Sequence, residues 1–372
     1  MKRVMASASA LALVAGIAQA GGIDRSGQGI GVLFEKGRYM ELSFGRVMPD
    51  VSGRDVALFG GFPSGDVAGD YSQASLSYKA DLSDKISYAI ILDQPFGADV
   101  VYPTFNGTTG SIALGGTIAK ADATALTGLL RYKFDERISV HGGVRVDRGS
   151  GDITLAGAAY GPLSGYNVKL DDDLATGFVI GAAYEIPDIA MRVALTYNSA
   201  ITHNFDTVES LNPALTSSTK VKLPQSVNLD FQTGIAANTL LFGSVSWVNW
   251  SQFKIDPLIF TGVAGGGLVD LENTTTWTLG IGRKFNENWS GAASILYEGK
   301  GDPLVSPLAP TNGKLGLTLA AIYTRDNMKI TTGINYTKLG DAQPETGTPD
   351  TARANFTGNH ALGIGVKVGF SF

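Results

Sequence analysis

"HALGIGVKVGFSF", residues 360–372, closes the chain with a strict alternation of residue types. Every second residue from Leu362 to Phe372 is apolar, and the residues between them are small or charged. Because successive side chains of a β-strand point to opposite faces, this period of two predicts a strand with one apolar face. Either a soluble β-sandwich or a membrane β-barrel could end on such a strand, so other parts of the sequence must distinguish them.

The amino terminus indicates export from the cytoplasm. Met1-Lys2-Arg3 is basic, Val4 to Ile17 is apolar or small, and Ala18-Gln19-Ala20 forms an A-x-A cleavage site. The alternative, a membrane anchor, is disfavoured because the apolar run is short and rich in Ala and Ser. Residues 1–20 are therefore predicted to be a signal peptide, and the mature chain is expected to begin near Gly21.

The composition excludes several classes of protein. The 372 residues include 48 Gly and no Cys, which leaves neither a disulfide framework nor a thiolate metal site. No second apolar run is long enough to cross a bilayer as a helix. The net charge of -5 argues against a nucleic acid partner. No cofactor and no metal site is predicted.

Short turns and long loops alternate between the predicted strands. Six tight hairpins are predicted, at residues 77–91, 129–143, 182–195, 231–244, 281–294 and 322–334. Seven longer stretches rich in Gly, Pro, Ser, Thr and Asn separate them, at about 48–70, 94–121, 148–170, 200–220, 251–272, 299–313 and 339–359. The strands number about 14, beginning near Arg38–Val47.

This pattern is typical of an all-β, transmembrane antiparallel β-barrel in the bacterial outer membrane, with short periplasmic turns and long extracellular loops. A soluble sandwich needs no such asymmetry and rarely reaches so many long strands. Phe370 and Phe372 are then expected at the periplasmic aromatic girdle. A terminal Phe also resembles the signature that the barrel assembly machinery recognises. That machinery, outer-membrane lipid and lipopolysaccharide are therefore expected partners.

Charged residues on the face opposite to the apolar one are predicted to point into the lumen. They are Glu41, Lys79, Arg131, Lys133, His141, Arg145, Asp147, Arg192, Asp230, Lys314, Lys329 and Lys367. One interpretation is that they pair with one another inside the barrel. The other is that a subset of Arg131, Arg145, Arg192 and Lys367 binds the carboxylate headgroup of a ligand that passes through.

The segment before the first strand, residues 21–37, carries Ile23, Ile30, Val32, Leu33 and Phe34. Folding inside the barrel as a small plug would remove these side chains from water, whereas a disordered leader would leave them exposed. The predicted organisation is a signal peptide at 1–20, a plug at 21–37 and a barrel at 38–372.

Three stretches of the sequence are distinctive: "KLPQSVNLDFQTGI" with "LFGSVSWVNWSQF" at Lys222–Phe253, "TTTWTLGIGRKFNENWSGAASILYEGKGDP" at Thr274–Pro303, and "DQPFGADVVYP" at Asp93–Pro103. They resemble the FadL family of outer-membrane channels for long-chain fatty acids and other hydrophobic compounds, which includes TodX-like aromatic hydrocarbon proteins. The resemblance covers nearly the whole mature chain. It implies a 14-stranded, generally monomeric barrel closed by an N-terminal hatch, and passive uptake of a long-chain fatty acid or another hydrophobic molecule. The segment here is short and lacks the Asn-Pro-Ala motif usual in the family's hatch.

The resemblance also implies a capture site for the ligand. It would be an apolar groove of the third and fourth extracellular loops, which correspond to about 148–170 and 200–220. These stretches contain Leu155, Tyr160, Leu163, Tyr166, Phe205, Leu211 and Leu215. An apolar groove would make use of these side chains, while packing of the loops on themselves is the competing explanation.

From a lumenal pocket, the resemblance implies, the ligand leaves sideways into the membrane at a kink in the third strand. The kink would lie near Asp93, Pro95, Phe96 and Gly97, which together with Leu33 and Phe34 of the plug are the predicted gate residues. Pro95 lacks an N–H for the ladder and Gly97 weakens a strand, so pairing is expected to lapse there. The alternative is that Pro95 only ends the strand.

Other functions remain open at this point. A general diffusion porin would also have a charged lumen, but the apolar leader and loops favour a plugged channel, and an adhesin is a further alternative. An enzyme would need a Ser or Asp beside a His. His203 and His360 lie at or near long loops, and Asp147 is too far along the strand of His141 to pair with it, so no catalytic residue is predicted. The run Asp171–Asp173 could hold Ca²⁺ or be a solvated loop end.

Overall fold

The closing alternation forms the last strand of an antiparallel sheet that closes on itself. In the computed structural model, which describes residues 23–372, this strand pairs on one side with the preceding barrel strand and on the other with the first. The sheet is therefore a barrel. The predicted signal peptide lies outside the described residues.

The strands differ widely in length. In chain order they are β1 (Tyr39–Asp50), β2 (Gly53–Asp55), β3 (Tyr71–Asp81), β4 (Ile86–Asp93), β5 (Gly97–Val101), β6 (Ile118–Lys133), β7 (Ile138–Leu155), β8 (Tyr166–Ile186), β9 (Met191–Asn198), β10 (Ile201–Glu209), β11 (Thr216–Leu223), β12 (Ser226–Ala236), β13 (Thr239–Val248), β14 (Thr274–Lys284), β15 (Trp289–Glu298), β16 (Leu304–Val305), β17 (Lys314–Arg325), β18 (Met328–Leu339), β19 (Gln343–Thr346), β20 (Thr351–Ala352), β21 (Ala354–Phe356) and β22 (His360–Ser371).

Seventeen of these strands form the barrel sheet. Three barrel strands are interrupted, and each is counted in two pieces: β4 with β5, β9 with β10, and β11 with β12. The barrel therefore has 14 strands, which confirms the predicted fold class and strand number. The short strands β2, β16, β19, β20 and β21 pair among the long loops.

The helices are few and short in the part of the chain that the structure describes. They are five 3-10 helices, at Gly31–Phe34, Ala57–Phe59, Ala158–Leu163, Pro187–Ile189 and Trp250–Gln252, and one α-helix, α1, at Leu258–Ala264. Among residues 23–372, no helix has the length and apolar character needed to cross a membrane.

The loop asymmetry is as predicted, with six short turns at one end of the barrel and seven longer connections at the other. Two of the predicted loops were too long, because β7 and β8 continue to residues 155 and 166, and β10 and β11 to 209 and 216. Their Gly- and Ser-rich ends resemble loop sequence, but cross-strand pairing keeps them extended. A bulge between Gly149 and Gly151 lets the ladder continue through one such stretch.

The outer face of the barrel is apolar. On β17, Leu315, Leu317 and Leu319 are each about half exposed, whereas Lys314 and Thr318 on the opposite face are buried. Lipid covers such a band in an outer-membrane barrel, so the period of two separates a lipid face from a lumenal face. Phe372 follows the end of β22 and is exposed.

The segment before β1 folds inside the barrel. Ile30, Val32 and Leu33 are buried against inward side chains of the wall, which are Tyr39, Ala89, Ile91, Leu129 and Val179. The barrel wall therefore shields the apolar side chains of this segment from water, where their exposure would be unfavourable.

Candidate functional site

An apolar cavity lies inside the barrel, between the plug segment and the long loops. It contains about 790 Å³ of space without protein atoms, part of which is continuous with solvent. Its apolar lining includes Ile23, Phe96, Ile153, Leu170, Phe205, Val221, Leu223, Phe253, Ile255, Val269, Leu271 and Leu308. An apolar molecule can occupy such a space without stripping water from polar groups of the wall.

The seven apolar residues predicted to form a capture groove fall into two groups. Phe205 lines the cavity, Leu155 and Tyr166 are buried in the apolar cluster around it, and Tyr160 and Leu163 pack against that cluster. In contrast, Leu211 and Leu215 are exposed in the short fourth connection.

Three of these residues were wrongly placed in loops. Leu155, Tyr166 and Phe205 lie in β7, β8 and β10, where they are held by ladder hydrogen bonds. The inward-facing residues of these extended strands therefore form part of the cavity wall. The predicted loop boundaries did not include this part of the strands.

The fifth connection, residues 249–273, is the contribution that the sequence reasoning missed. Its buried apolar residues are Trp250, Phe253, Ile255, Phe260, Leu268 and Val269. They sit in one cluster with Phe205, and the ring of Phe96 meets the ring of Trp250 edge-on at 5.8 Å between centroids. The run "WSQFKIDPLIF" is as apolar as the stretches chosen for the groove, and this signal could have identified it.

A buried carboxylate fixes α1 over this cluster. Glu209, at the end of β10, accepts hydrogen bonds from the backbone N–H of Ile259 and of Phe260, both at 2.8 Å. It also accepts one from the Tyr166 hydroxyl at 2.9 Å, and the rings of Tyr166 and Phe260 lie 4.8 Å apart. Since α1 has unpaired N–H groups at its first turn, the carboxylate acts as its cap from another part of the chain.

His203 stands in the cavity wall between two carboxylates. Its Nε2 is 3.1 Å from Asp147, its Nδ1 is 3.0 Å from Asp173, and its ring stacks on Phe205. Its side chain is fully buried. The partner of Asp147 is therefore on another strand, and His141 instead contacts Thr196 at 3.0 Å.

The acidic run at 171–173 is divided among three partners. Asp171 pairs with Lys169 at 2.6 Å, Asp172 with Arg148 at 2.7 Å, and Asp173 lies 3.0 Å from the His203 ring. Because each carboxylate has a different partner, the three do not converge on a shared point.

The third barrel strand is broken where the kink was predicted. The ladder between β3 and β4 ends at the pair Leu76 and Leu92, and backbone contact resumes at Gly69, whose N–H donates to the carbonyl of Asp99 at 2.9 Å. Between these points, the Ala74 N–H is taken by the Gln94 side chain at 3.1 Å. This leaves a gap in the barrel wall beside residues 94–96.

The plug segment covers that gap from inside. The Arg25 N–H donates to the Pro95 carbonyl at 2.8 Å, and the Gly97 N–H donates to the Ile23 carbonyl at 2.9 Å. The Ser26 hydroxyl reaches the Asp93 carboxylate at 2.5 Å. The predicted gate residues of the third strand thus meet residues 23–26 of the plug, and Phe96 and Gly97 also line the apolar cavity.

The other predicted gate residues, Leu33 and Phe34, lie deeper in the barrel. Leu33 is fully buried, and the Phe34 ring has the Arg131 guanidinium at 4.6 Å and that of Arg192 at 4.3 Å. Both guanidinium groups are therefore within cation–π distance of the ring.

The four cations predicted to meet a ligand are engaged by the plug or by the wall. Arg131 pairs with Glu185, and Arg192 contacts Phe34. Arg145 donates to Thr127 at 2.9 Å and to Gln28 of the plug. Lys367 lies 3.5 Å from Glu41. Their role as ligand contacts stays a prediction.

A second cavity adjoins the first and shares Ile23, Leu271 and Ala309 with it. It contains about 720 Å³ of space without protein atoms, again partly continuous with solvent. Its lining is mixed and includes the carboxylates Asp270, Glu272, Glu298 and Asp302. Both cavities contact Ile23 of the plug, and the first also reaches Phe96 and Gly97 beside the gap in the third strand.

Burial raises the pKa of two carboxylates in the loops. Burial, reinforced by the nearby Asp350 carboxylate, raises the pKa of Glu345 to about 7. Burial also raises the pKa of Asp66, although that carboxylate accepts backbone hydrogen bonds from Val51 and Ala68, which oppose the shift. The loop region above the cavity is therefore expected to respond to pH.

The chain is similar to a known family of proteins. Residues 45–372 match the model of the family described as "Outer membrane protein transport protein (OMPP1/FadL/TodX)". No curated protein sequence matches the chain.

Solved structures share the fold. A FadL homologue of Pseudomonas aeruginosa has a TM-score of 0.72 at 15% identity, with 92% of each chain covered. The toluene transporter TodX of P. putida has a TM-score of 0.63 at 14% identity, covering 96% of this chain and 98% of that one. The toluene transporter TbuX of Ralstonia pickettii has a TM-score of 0.61 at 12% identity, covering 91% and 90%. At these identities the likeness concerns the fold.

Proposed function

Because the chain belongs to the OMPP1/FadL/TodX family of outer membrane transport proteins, we propose that it is a passive channel for long-chain fatty acids or other hydrophobic compounds. The observation that carries this proposal is the apolar cavity, enclosed by the barrel wall, the plug segment and the fifth connection. Transfer of an apolar molecule from water into such a space is favoured by about 25 cal/mol for each Å² of apolar surface removed from water.

Capture is assigned to the long loops. Leu258 and Val263 of α1 are more than half exposed, and Leu211 and Leu215 are exposed in the neighbouring connection. Apolar side chains grouped at the rim offer a first contact to a hydrophobic molecule before it enters the cavity.

Release is assigned to the gap in the third strand. Transfer of an apolar molecule into the aqueous periplasm is not favoured in free energy. A gap in the barrel wall, in contrast, opens toward lipid. The cavity reaches this gap at Phe96 and Gly97, and residues 23–26 of the plug cover it. A movement of the plug segment away from Pro95 would connect the cavity with the membrane.

A general diffusion porin is the weaker alternative. Such a channel needs a continuous water-filled lumen. Here Val32, Leu33 and Phe34 lie inside the barrel and pack against its wall. Swelling of proteoliposomes in sugars would detect a porin and is expected to be absent.

A matched pair of variants on one strand tests the proposal. Ala123→Phe fills the cavity, because Ala123 lines it, whereas Leu126→Phe changes the lipid face of the same strand. Cells that lack other channels of this family are supplied with labelled toluene and labelled oleate. At least one compound should enter with wild type and Leu126→Phe, and uptake should fall to background with Ala123→Phe. Uptake of neither compound by wild-type cells, with sugar permeation instead, would refute the proposal.

A further inference from the structure

Residues 256–267 of the fifth connection form a flap with a closed base. The backbone N–H of Leu268 donates to the carbonyl of Ile255 at 2.9 Å, and Lys254 pairs with Asp270 beside that bond. The flap between them contains α1. Its two ends are therefore joined to each other independently of what its tip contacts.

The tip of the flap is attached to the barrel through its first turn. Phe260 is the buried residue of α1, and its ring packs on that of Tyr166. Glu209 accepts the backbone N–H groups of Ile259 and Phe260 at the same place. In contrast, residues 262–267 are all exposed. The contacts that hold the tip are thus concentrated around one carboxylate.

The bonds of this carboxylate can be exchanged for bonds to water. Among residues 23–372, Glu209 pairs with neither Lys nor Arg, and its donors are the two backbone N–H groups and the Tyr166 hydroxyl. If the tip lifted, water could solvate the carboxylate and its donors, so no buried charge would lose an ionic partner. The attachment is therefore specific in position but reversible.

The attachment lies on the loop side of the apolar cavity. Phe205 and Leu170 line the cavity, and Glu209 and Tyr166 stand farther along the same two strands, β10 and β8, toward the loops. With a strand rise of about 3.3 Å per residue, the separation along the strand is on the order of 10 Å.

The flap reaches across this end of the cavity without forming its wall. The arms on either side of the flap line the cavity through Phe253, Ile255, Val269 and Leu271, whereas the lining includes none of the described residues 256–267. A movement of the tip would therefore leave the surface that contacts a bound molecule in place.

We propose that residues 256–267 are an entrance lid of the apolar cavity and that Glu209 is the positioning residue that keeps this lid closed. The inference rests on the proposed function and adds a step to it, in which the tip lifts from Glu209 before a hydrophobic molecule passes from the loops into the cavity. The closed base at Ile255 and Leu268 returns the lid to the same position afterwards.

Opening of the lid can be measured without a ligand. The chain has no Cys, so Thr261→Cys in α1 introduces the only thiol, at a position where the Thr261 hydroxyl is buried. A charged methanethiosulfonate reagent reaches this thiol only when the tip lifts. In a Glu209→Ala background the modification rate should rise by about tenfold, since one hydrogen bond to a carboxylate is worth at least that factor in an equilibrium.

Asp341→Ala is the matched control for this measurement. Asp341 is an exposed carboxylate in the connection between β18 and β19, and its partner is the exposed Lys300. Its removal should leave the modification rate of the thiol unchanged. Gel mobility of the folded barrel verifies that each variant is folded.

A protein without the lid tests the role in entry. The bond from the Leu268 N–H to the Ile255 carbonyl has the pattern that closes a β-turn, so the dipeptide Asn-Gly can replace residues 256–267. Binding of anthracene to the full mature protein in lipid nanodiscs is followed by energy transfer from Trp in stopped flow. The Ala123→Phe protein, whose cavity is filled, supplies the signal due to lipid alone.

A lid on the path to the cavity affects rates and not affinity. Association and dissociation of anthracene should both become about tenfold faster in the lidless protein and in Glu209→Ala, with the dissociation constant unchanged. Glu209→Ala keeps the exposed Leu258 and Val263, so it separates loss of the lid from loss of apolar surface at the rim. A purely structural role of Glu209 would instead weaken binding.

The outcomes distinguish this inference from the proposed function. Thiol modification that is equally slow with and without Glu209 would overturn its role in closure. Anthracene rates that rise in neither variant would overturn the role of the flap as an entrance lid. Binding by no protein above the Ala123→Phe signal would count against the proposed function, and with it against the entrance, even if the thiol showed that the flap opens.

Discussion

The backbone N–H of Arg25 donates to the carbonyl of Pro95 at 2.8 Å, which joins the plug segment to the break in the third barrel strand. Pro95 cannot donate to a neighbouring strand, and its carbonyl is satisfied by the plug rather than by β3. The Arg25 guanidinium then lies 4.5 Å from the Tyr71 ring and 3.8 Å from Asp122. The break in the strand and the closure over it are thus one feature of the structure.

Arg25→Ala is expected to weaken this closure. The substitution keeps the backbone hydrogen bond but removes the stacking on Tyr71 and the contact with Asp122. A contact of this kind is worth about 1 kcal/mol, or roughly fivefold in an equilibrium, so uptake of a labelled apolar compound should rise by up to that factor. Initial uptake rates in cells measure it.

Arg325→Ala serves as the matched control, because Arg325 is exposed at the end of β17 on the side of the short turns. Gly97→Ala is an independent probe of the same contact, since a Cβ at Gly97 would run into the Arg25 guanidinium. Slower uptake in both Arg25→Ala and Gly97→Ala would contradict a closing role for Arg25.

Glu209→Ala is expected to release α1 from the barrel. The carboxylate accepts three hydrogen bonds, from Tyr166, Ile259 and Phe260, and its loss leaves buried donors unpaired at about 1–3 kcal/mol each. Hydrogen exchange should quicken in residues 249–273 while β14 stays protected. Glu209→Gln, which keeps an acceptor oxygen, should show a smaller effect; identical exchange in both variants would exclude the capping role.

Loop 340–359 is expected to loosen as the pH rises. Burial raises the pKa of Glu345 from its ordinary value of about 4.5 to about 7, so the folded loop favours the protonated acid. The associated stability is fully present below about pH 4.5 and is lost as the pH passes through about 7. Hydrogen exchange in this loop, corrected for the intrinsic pH dependence of exchange, should therefore be slower at pH 5 than at pH 8.

Glu345→Gln should abolish this pH difference, because an amide cannot ionise. Glu287→Gln, in an exposed turn at the other end of the barrel, is the matched control and should preserve it. The assignment would fail if the corrected exchange of the loop did not change between the two pH values in the wild type.

The sequence was most informative where one physical constraint acts along the whole chain. Lipid on one side and a polar lumen on the other impose a period of two, and that period places Leu317 outward and Lys314 inward without knowledge of any contact. It also located all six short turns. The position of the kink near Pro95 is implied by the family resemblance, and the missing N–H of Pro95 is consistent both with a break and with the end of a strand.

Pairings between distant segments could not be obtained in this way. From the sequence, pairing of Asp147 could be considered only with His141 on its own strand. Its partner in the structure, His203, lies on β10. The Gly149–Asp152 stretch resembles a loop by composition, and only the neighbouring strands hold it extended. The apolar residues of the fifth connection pack in one cluster with Phe205 and Phe96, which are far away in the sequence.

His203→Phe is expected to destabilise the barrel strongly. The phenyl ring can occupy the same stacking position on Phe205, but Asp147 and Asp173 lose the group that lies between them, and Asp147 is fully buried. Removing the hydrogen-bonding partner of a buried polar group costs about 1–3 kcal/mol for the group left unpaired. The free energy of unfolding in urea, followed by the gel mobility of the folded barrel in lipid vesicles, should fall by that amount.

Two further variants separate loss of charge balance from loss of the imidazole itself. The double variant His203→Phe/Asp147→Asn removes one of the stranded carboxylates and should recover part of the lost stability, because a neutral amide is cheaper to bury than an unpaired charge. His360→Phe, on β22 beside Tyr336, should change the free energy of unfolding by less than about 1 kcal/mol. If His203→Phe were as mild as His360→Phe, the hydrogen bonds between His203 and the two carboxylates would not stabilise the barrel, and the network described for the cavity wall would not exist.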